Sequence, residues 1–557
     1  DSAALLGSQG PQGDDKKDTV SEWNKEWKDL VDNQANSSPD FFKILRNLDQ
    51  VDALLVKNKT SQIGGGGNAG AVDITINAEQ YLTKQDNSSV ILAQSIGDGG
   101  GWLLLDQGNN YSFLGSIKSG GGKGASVDVN SAVNLFSLGT NSPALVAQSI
   151  GGGGGATGDS NKFARVGTVE GRSNTSSGNV TINHAGNIFT EGVYSSGLLA
   201  QSIGGGGGLV GIVSGAVSLG SVNSLDEQTS TAGEVDVQVD GTIQTTGNNS
   251  PALVTQSIGG GGGWVAQASG EVDMGAFKTK QSDNSSGNVE VNSIGAINTI
   301  GQNSTGLLAQ SIGGGGGFIG INTANDHRLM MGATFSVGLN NASDINVLNQ
   351  GSISTAGNNS AALTAQSIGG GGGFTAINWS SDTEQGGNPQ NELVNLGSYD
   401  SIAGNSGKLN ITNQSNLVTQ GLASPALLLQ TIGGGGGAIQ SLSNSSAGQV
   451  MFGSDFLFVP DIPAAFSAGS IDFTSNSNSL ISTSGDRSAA AVVQSIGGGG
   501  GWSLINSQDF ISLGSYNYFE GKATGGSVTA DISGKIQTTG STSPGFVVQT
   551  IGGGGGF

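Results

Sequence analysis

One phrase returns nine times along this chain: a glutamine, then Ser or Thr, then Ile, then a run of glycines. It begins at Gln94, Gln148, Gln201, Gln256, Gln310, Gln366, Gln430, Gln494 and Gln549. By subtraction, the intervals are 54, 53, 55, 54, 56, 64, 64 and 55 residues. A fixed period of this size is typical of repeat architectures, in which each unit buries its apolar face against its neighbours. The chain is therefore predicted to be one elongated stack of similar units.

The composition agrees with stacked strands. Glycine accounts for 100 of 557 residues but proline for only 9, which excludes collagen. Apolar residues make up 35% and fall in a regular pattern, which argues against a disordered glycine-rich linker. Only 11% of residues are charged, so Asn, Ser, Thr, Gln and Gly must cover most of the surface.

Charge and cysteine content narrow the classes of partner and compartment. The net charge of -21 argues against nucleic acid as a partner. The absence of cysteine is compatible with an exported protein. No apolar run reaches the length of a membrane-spanning helix, so we expect no transmembrane helix in this segment. The chain starts at Asp1 and stops just after a glycine run, so we expect it to be a piece of a longer protein.

The first 60 residues differ from the repeats, because they hold 8 of the 21 basic residues and 11 of the 42 acidic ones. We expect 1–18 to be a flexible lead-in and 19–60 to be a helical N-terminal cap. Two apolar stripes at helical spacing carry that prediction; they are Val20, Trp23, Trp27, Leu30 and Val31, then Phe41, Leu45, Leu48 and Leu55. The alternative for this head is a docking element for a partner.

Within each repeat, short segments alternate apolar and polar residues, as in Val235, Val237 and Val239, and glycines such as Gly241 punctuate them. This period of two predicts short strands with one buried face. The predicted fold is all-β: a parallel β-solenoid of about nine repeats of roughly 54 residues over 61–557, continuing beyond the chain end. A repeat can form one wide turn or two turns of a three-sided helix, and the sequence leaves both open.

The glycine runs do not match a phosphate-binding loop, which needs a lysine and a Ser or Thr directly after the glycines. We expect instead that glycine segments of successive turns lie alongside one another, either as a flat, close-packed seam or as a bundle of extended polyglycine segments. We further expect the glutamines to form an amide ladder, and the aromatic residue after the glycines to be buried. The residues assigned this structural role are Gln148, Gln201, Gln256, Gln310, Gln366, Trp264, Phe318 and Trp502.

The phrase from Ser304 to Ile312, followed by glycines, resembles repeats in the passenger regions of bacterial autotransporters, the type V secreted surface proteins and adhesins. The resemblance covers about 61–557. It implies a right-handed parallel β-helix exported to the cell surface and attached at the outer membrane, with adhesion or biofilm contact as its usual role. The export signal and the C-terminal barrel of that family are not in this sequence, so the export route stays open.

No residues point to catalysis, a cofactor or a metal. The two histidines, His184 and His327, lie in unrelated settings, and we expect His184 to face outward on its strand. Carboxylates near strand starts could meet calcium, but solvated strand faces are favoured because the calcium-binding nonapeptide pattern is absent. These carboxylates are Asp73, Asp128, Asp236 and Asp344.

Two repeats are about ten residues too long, and their extra material near 380–391 and 441–466 should protrude as loops. The second loop is apolar, with Phe456, Phe458 and Ile462 as possible binding residues. The alternative is that it folds over a satellite core.

The sequence is compatible with three functions. The first is a non-enzymatic extracellular rod, structural and adhesive, that attaches cells or forms part of a filament. The second is a self-polymerising fibre or sheath protein whose partner is itself. The third is a polysaccharide-binding or polysaccharide-cleaving β-helix protein, with cell-surface glycans or proteins as partners.

Overall fold

The computed structural model describes residues 2–6, 67–103, 109–116, 121–158, 163–169, 174–221, 229–276, 283–322, 328–334, 338–377, 393–398, 404–441, 446–453, 466–504, 506–514 and 522–557. Within these ranges the chain is all-β, and its strands lie in five nine-stranded sheets and one short four-stranded sheet. The predicted helical cap at 19–60 lies outside the described residues. In the described part of the chain there is no helix of the length and apolarity needed to cross a bilayer.

Each repeat contributes one strand to each long sheet, and the strands of a sheet follow one another along the axis of the stack. Gln148 pairs with Gln201, the glutamine of the next repeat, and Val127 pairs with Val180 in the same way. Strands therefore pair at a separation of one whole repeat, so one repeat forms one wide turn. This settles the alternative that the sequence left open and confirms the parallel β-solenoid.

Sheets I and II follow each other along the chain and form the outer wall of the largest core. Sheet I contains β2 (Val72–Ile76), β7 (Val127–Ser131), β13 (Val180–His184), β19 (Val235–Val239), β25 (Val289–Ser293), β31 (Ile345–Asn349), β36 (Leu409–Asn413), β41 (Ile471–Ser475) and β46 (Val528–Ile532). Sheet II contains β3 (Gln80–Thr83), β8 (Asn134–Ser137), β14 (Ile188–Thr190), β20 (Ile243–Thr245), β26 (Ile297–Thr299), β32 (Ile353–Thr355), β37 (Leu417–Thr419), β42 (Leu480–Thr483) and β47 (Lys535–Thr538). Their strands alternate buried and more exposed positions, as predicted for walls with one apolar face.

Sheets III and IV contain the recurring phrase itself. Sheet III contains β4 (Ile91–Ile96), β9 (Leu145–Ile150), β15 (Leu198–Ile203), β21 (Leu253–Ile258), β27 (Leu307–Ile312), β33 (Leu363–Ile368), β38 (Leu427–Ile432), β43 (Ala491–Ile496) and β48 (Phe546–Ile551). Sheet IV contains β5 (Gly100–Leu103), β10 (Gly154–Thr157), β16 (Gly207–Val213), β22 (Gly262–Ala268), β28 (Gly316–Asn322), β34 (Gly372–Ile377), β39 (Gly436–Ser441), β44 (Gly500–Leu504) and β49 (Gly555–Gly556). The glycine run between them reverses the chain, so sheet IV packs against sheet III.

Sheet V closes the other side, and the short sheet VI leads back towards sheet I. Sheet V contains β1 (Ser2–Leu6), β6 (Asn109–Leu114), β11 (Phe163–Val166), β17 (Ala216–Leu219), β23 (Val272–Met274), β29 (Arg328–Met331), β35 (Leu393–Leu396), β40 (Ser446–Phe452) and β45 (Asn506–Leu513). Sheet VI contains β12 (Thr175–Ser176), β18 (Ser230–Thr231), β24 (Asn284–Ser285) and β30 (Asn340–Asn341).

Two of these strands differ from the sequence prediction. β1 lies within the segment expected to be a flexible lead-in, and it pairs with β6 as the first strand of sheet V. β40 lies within the second expected loop, 441–466, but it pairs in sheet V with β35 and β45. β1 adds to the free edge of β6, whereas β40 fills the place between β35 and β45, where strands on both sides offer hydrogen-bond partners.

The cross-section has three apolar layers. Val127 of sheet I, Leu135 of sheet II and Leu145 of sheet III belong to the largest core. The other face of sheet III packs on sheet IV, with Val146 among the residues between them. Sheet IV in turn packs on sheet V, where Val166 contributes. Sheet III thus lies inside the molecule, and all six residues of its interior strands, such as those of β21, are buried.

Candidate functional site

The glutamines of sheet III form a continuous hydrogen-bonded ladder through the interior. Gln148 Nε2 donates to Gln201 Oε1 at 2.6 Å, and Gln256 Nε2 donates to Gln310 Oε1 at 2.7 Å. Eight such bonds of 2.6–2.9 Å link all nine glutamines, and each amide donates towards the following turn. The predicted ladder is confirmed, and it includes Gln366, which lies between Gln310 and Gln430.

The second N–H of these amides ties sheet III to sheet IV. Gln310 Nε2 also donates to the carbonyl oxygen of Gly317 at 3.2 Å, and Gln430 Nε2 donates to that of Gly437 at 3.1 Å. Both donors of these amides are therefore used in an environment without solvent. A buried polar side chain without a partner costs roughly 1–3 kcal/mol, so this full satisfaction is what allows glutamine at the centre of the molecule.

The glycine seam is confirmed, and its geometry explains why no other residue fits. Gly262 has φ +134° and Gly263 has φ +135°, a backbone region that disfavours L side chains. A Cβ on Gly262 would lie 2.1 Å from the carbonyl oxygen of Gly316 in the following turn. A Cβ on Gly263 would lie 2.1 Å from that of Gly208 in the preceding turn. The seam therefore excludes side chains on both sides.

The tripeptide Leu-Gly-Ser recurs at the ends of strands of sheet V, as at 114–116, 219–221, 396–398 and 513–515, and it holds the glycine turn in place. A Cβ on Gly261 would lie 2.8 Å from the Cα of Gly220, the glycine of one such segment. The next residue, Ser221, donates its hydroxyl to the carbonyl oxygen of Gly205 in the glycine run. Glycine therefore permits the close approach, and the serine satisfies a buried carbonyl that the turn leaves unpaired.

The aromatic residues after the glycines are buried between sheets III and IV in the interior turns, whereas Trp102 near the start is partly buried and Phe557 in the last turn is 45% exposed. Trp264, Phe318, Phe374 and Trp502 are each only 1% exposed. The ring centroids of Trp264 and Phe318 lie 5.1 Å apart, and those of Phe318 and Phe374 lie 5.7 Å apart in a stacked arrangement. Their predicted burial is confirmed, and it contributes apolar area that offsets the entropy cost of the glycines.

A second polar column, made of serines at the corner between sheets II and III, is absent from the sequence predictions. Ser250 N donates to Ser304 Oγ at 3.0 Å, and Ser304 Oγ donates to the carbonyl oxygen of Gly247 at 3.0 Å. A signal for it does exist, because a serine stands six residues before every glutamine: Ser88, Ser142, Ser195, Ser250, Ser304, Ser360, Ser424, Ser488 and Ser543. Each corner is thus held to the next by a side chain.

The Ser or Thr after the glutamine joins sheet III to the start of sheet I. Ser257 Oγ donates to the carbonyl oxygen of Gly233 at 2.8 Å and accepts a hydrogen bond from Gly287 N at 2.7 Å. One hydroxyl therefore bridges two successive turns across the cross-section. This explains why the phrase requires Ser or Thr at this position.

The expected outward orientation of His184 is wrong. His184 is 1% exposed, because the period of two in β13 places it on the same face as the buried Val180 and Ile182. Its neighbours in register are Ser131 and Val239. Burial lowers the pKa of His184 to about 4, although a hydrogen bond with the backbone at Gly186 acts in the opposite direction. His184 is therefore a neutral core residue at physiological pH.

The recurring carboxylates near the strand starts lie on the outer face of sheet I or beside it. Asp73 and Asp236 are exposed, whereas Asp128 and Asp344 are half-buried. Asp344 Oδ1 accepts a hydrogen bond from Lys408 N at 2.7 Å. No group of three or more potential metal ligands occurs among the residues that the structure describes. The solvated strand-face interpretation fits these positions.

Sheet V brings together charges that are scattered in the sequence. Arg165, Ser218 and Asp273 are aligned in register on three successive strands. Burial raises the pKa of Asp273 to about 7, although the positive charges of Arg165 and Arg328 act to lower it. Burial likewise raises the pKa of Glu271 to about 7, where Arg328 opposes the shift and Asp273 adds to it. Burial thus raises the pKa values of two neighbouring carboxyl groups, Asp273 in β23 and Glu271 directly before that strand.

The predicted binding residues Phe456, Phe458 and Ile462 lie outside the described residues, as does the expected loop at 380–391. His327 also falls there. Phe466, at the end of the second expected loop, is buried.

Comparisons with known proteins return no match: no family model, no curated protein and no solved structure matches this chain.

Breaking the glutamine ladder should be costly. In Gln310→Leu, the Nε2 donor of Gln256 and the Oε1 acceptor of Gln366 lose their partners in the interior. We expect the free energy of unfolding to fall by roughly 2–4 kcal/mol in urea denaturation. The matched control is Gln350→Leu, because Gln350 donates to Gln414 at 3.3 Å on the exposed surface. The control should change stability by less than about 0.5 kcal/mol, and equal losses would contradict the ladder's role.

The seam should not tolerate even one methyl group. We expect Gly262→Ala to lower the free energy of unfolding by roughly 3 kcal/mol or more, because backbone strain and overlap with Gly316 add together. Gly545→Ala is the control, since the nearest atom to its added Cβ, Ile536 Cγ2, lies 3.7 Å away. Its effect should stay within about 1 kcal/mol. Hydrogen exchange of the flanking turns would report the same contrast locally, and similar exchange in both variants would refute it.

His184 should make stability depend on pH. Its folded pKa of about 4 lies below the usual 6.5, so between these values the unfolded chain binds the extra proton. Stability should therefore fall as the pH drops from 6.5 to 4. His184→Val copies the neighbouring Val239. We expect it to remove this pH dependence, which amounts to about 2–3 kcal/mol in the free energy of unfolding between pH 6.5 and pH 4. Urea denaturation of both proteins from pH 4 to pH 7 measures it, and a difference independent of pH would overturn the assignment.

Proposed function

We propose that this protein is an extracellular structural and adhesive rod, displayed at a bacterial cell surface and attached at the outer membrane. One observation carries the proposal: all nine turns stack in register, so that equivalent residues form continuous columns along the axis. Eight steps of about 4.8 Å make a stiff body roughly 40 Å long. The resemblance of the repeats to autotransporter passengers supports the same conclusion.

The chemistry of the interior supports a mechanical rather than a catalytic role. The glutamine, serine and glycine columns use their polar groups to join one turn to the next, as Gln256 does with Gln310. Binding then belongs to the outer faces and to the loops between strands, where repeat proteins usually place it. Cell-surface glycans or proteins are the partners we propose for those loops, including the one with Phe456, Phe458 and Ile462.

We also propose that 19–60 form a helical cap at the first turn of the solenoid. Its two apolar stripes at helical spacing support this assignment.

Polysaccharide cleavage is the second candidate function, and the charged group of sheet V favours it. Glu271 and Asp273 stand two residues apart beside Arg328, and their pKa values of about 7 suit proton transfer at neutral pH. Successive residues on one strand face are about 6.6 Å apart, within the range over which paired carboxyl groups cleave glycosidic bonds. A fibre formed from copies of this chain is the third candidate.

Imaging and binding on the same material separate these functions. We expect electron microscopy of the 557-residue chain to show single rods, and latex beads coated with it to adhere to glycan arrays or to cells. Assembly into long fibres in place of adhesion would favour the self-polymerising protein. If reducing sugar is released from a bound glycan, and Asp273→Asn abolishes this release, the adhesive function is rejected in favour of polysaccharide cleavage. A compact particle without adhesion would reject the rod.

A further inference from the structure

An apolar patch lies on the outer face of sheet II in the first three turns. Leu82, Phe136 and Phe189 are aligned in register on β3, β8 and β14. Leu82 is 45% exposed, and the nearby Val193 at the following corner is 36% exposed. The rings of Phe136 and Phe189 have centroids 6.4 Å apart. We call these four residues the sheet II patch.

The fold does not require apolar residues at these positions. Phe136 is half-buried, and its two neighbours on the strand, Leu135 and Ser137, are buried. The same column continues with mostly polar residues: Gln244, Asn298, Ser354, Val418, Ser482 and Gln537. The contiguous apolar residues of this column are confined to the first three turns, and a local apolar area of this kind on a protein surface indicates a contact surface.

The first turn is also where the longest connection of the chain is anchored. Residues 7–66 run from the end of β1 to the stretch that enters β2, and both strands belong to the first turn. This connection carries the two apolar stripes, whose largest members include Trp23, Trp27 and Phe41. A helix with such a stripe is stable only when that stripe is covered. Because both ends are tethered, its effective concentration at the patch is high.

We propose that the segment 19–60 docks against the sheet II patch and buries Phe136 and Phe189 under its apolar stripes. The inference rests on the helical cap proposed above, and it adds the place of contact: the cap covers a side wall as well as the end of the solenoid. The length of the segment supports this, since a helix of 20 residues spans about 30 Å, far more than the three turns of the patch. The polar residues from Gln244 onward set the limit of the covered area.

Photo-crosslinking tests the contact directly, because the chain has no cysteine of its own. In Leu82→Cys, labelled with a thiol-reactive benzophenone, we expect crosslinks to peptides from 19–60. Gln537→Cys is the matched control, since it lies in the same column at the ninth turn, and it should give no such crosslinks. Mixing isotopically labelled and unlabelled chains distinguishes crosslinks within one chain from those between copies.

Hydrogen exchange on the full chain supplies a second, independent measurement. Phe136→Asn and Phe189→Gln copy residues that the same column already accommodates, so the solenoid should fold and sheet III should stay protected. We expect exchange of the amides in 19–60 to accelerate roughly tenfold or more, whereas Val418→Ser, in the same column at a later turn, should leave it unchanged. Unchanged exchange in both phenylalanine variants would overturn the docking.

The two proposals fail in different ways. If the amides of 19–60 exchange as in an unfolded peptide, the helical cap itself is wrong and the docking falls with it. If they are protected but Leu82→Cys crosslinks elsewhere in the chain, the cap stands and the docking is wrong. Crosslinks found only between isotopically distinct chains would instead assign the patch to an interface between copies, which also rejects the proposal.

Discussion

Parallel hydrogen bonding between successive turns is the constraint on which the rest of this structure depends. It places every residue of a repeat about 4.8 Å from its own counterpart, as with Gln256 between Gln201 and Gln310. A side chain is tolerated inside the stack only if it is compatible with a copy of itself. The glutamine amide passes this test because it donates from one end and accepts at the other. Charged groups fail it, since like charges in direct register repel each other, and the low charge content of 11% follows.

The same constraint explains which features of the structure are predictable from the sequence. The period, the strand alternation and the glutamine ladder are predictable, because each depends on one repeat and its neighbour. The number of turns per repeat is not, since it depends on which strands pair across a whole repeat. The polarity of His184 favours the surface, although its place two residues after Ile182 puts it on the buried face. The repeat that contains β40 is longer than the others, which favours a loop there, although Ser446–Phe452 can pair with the strands of the adjacent turns.

The three-layered cross-section decides where function can be located. Sheets III and IV are enclosed, so the most regular part of the sequence, the phrase from Gln to the glycines, is the part least available to a ligand. Its regularity reflects backbone contacts as close as those of Gly262 with Gly316, and not recognition. Any binding surface would lie on the outer faces of sheets I and II, where exposed residues occur, or on the connections between strands. The repeat motif is therefore informative about the fold and silent about the partner.

In a body made of columns, the informative residues are those that depart from their own column. His184 interrupts a column that holds Ser131 and Val239 on either side of it, and its only evident consequence is for stability. Arg165 and Asp273 introduce charge into a column that contains Phe113 and Ser218. Phe136 and Phe189 introduce apolar surface where Gln244 and Asn298 show that polar residues suffice. Stacking alone explains none of these departures, whereas it explains almost every residue around them. Because the scaffold supplies nearly the same backbone at each turn, such substitutions leave the stack intact and change the charge or the polarity of single turns.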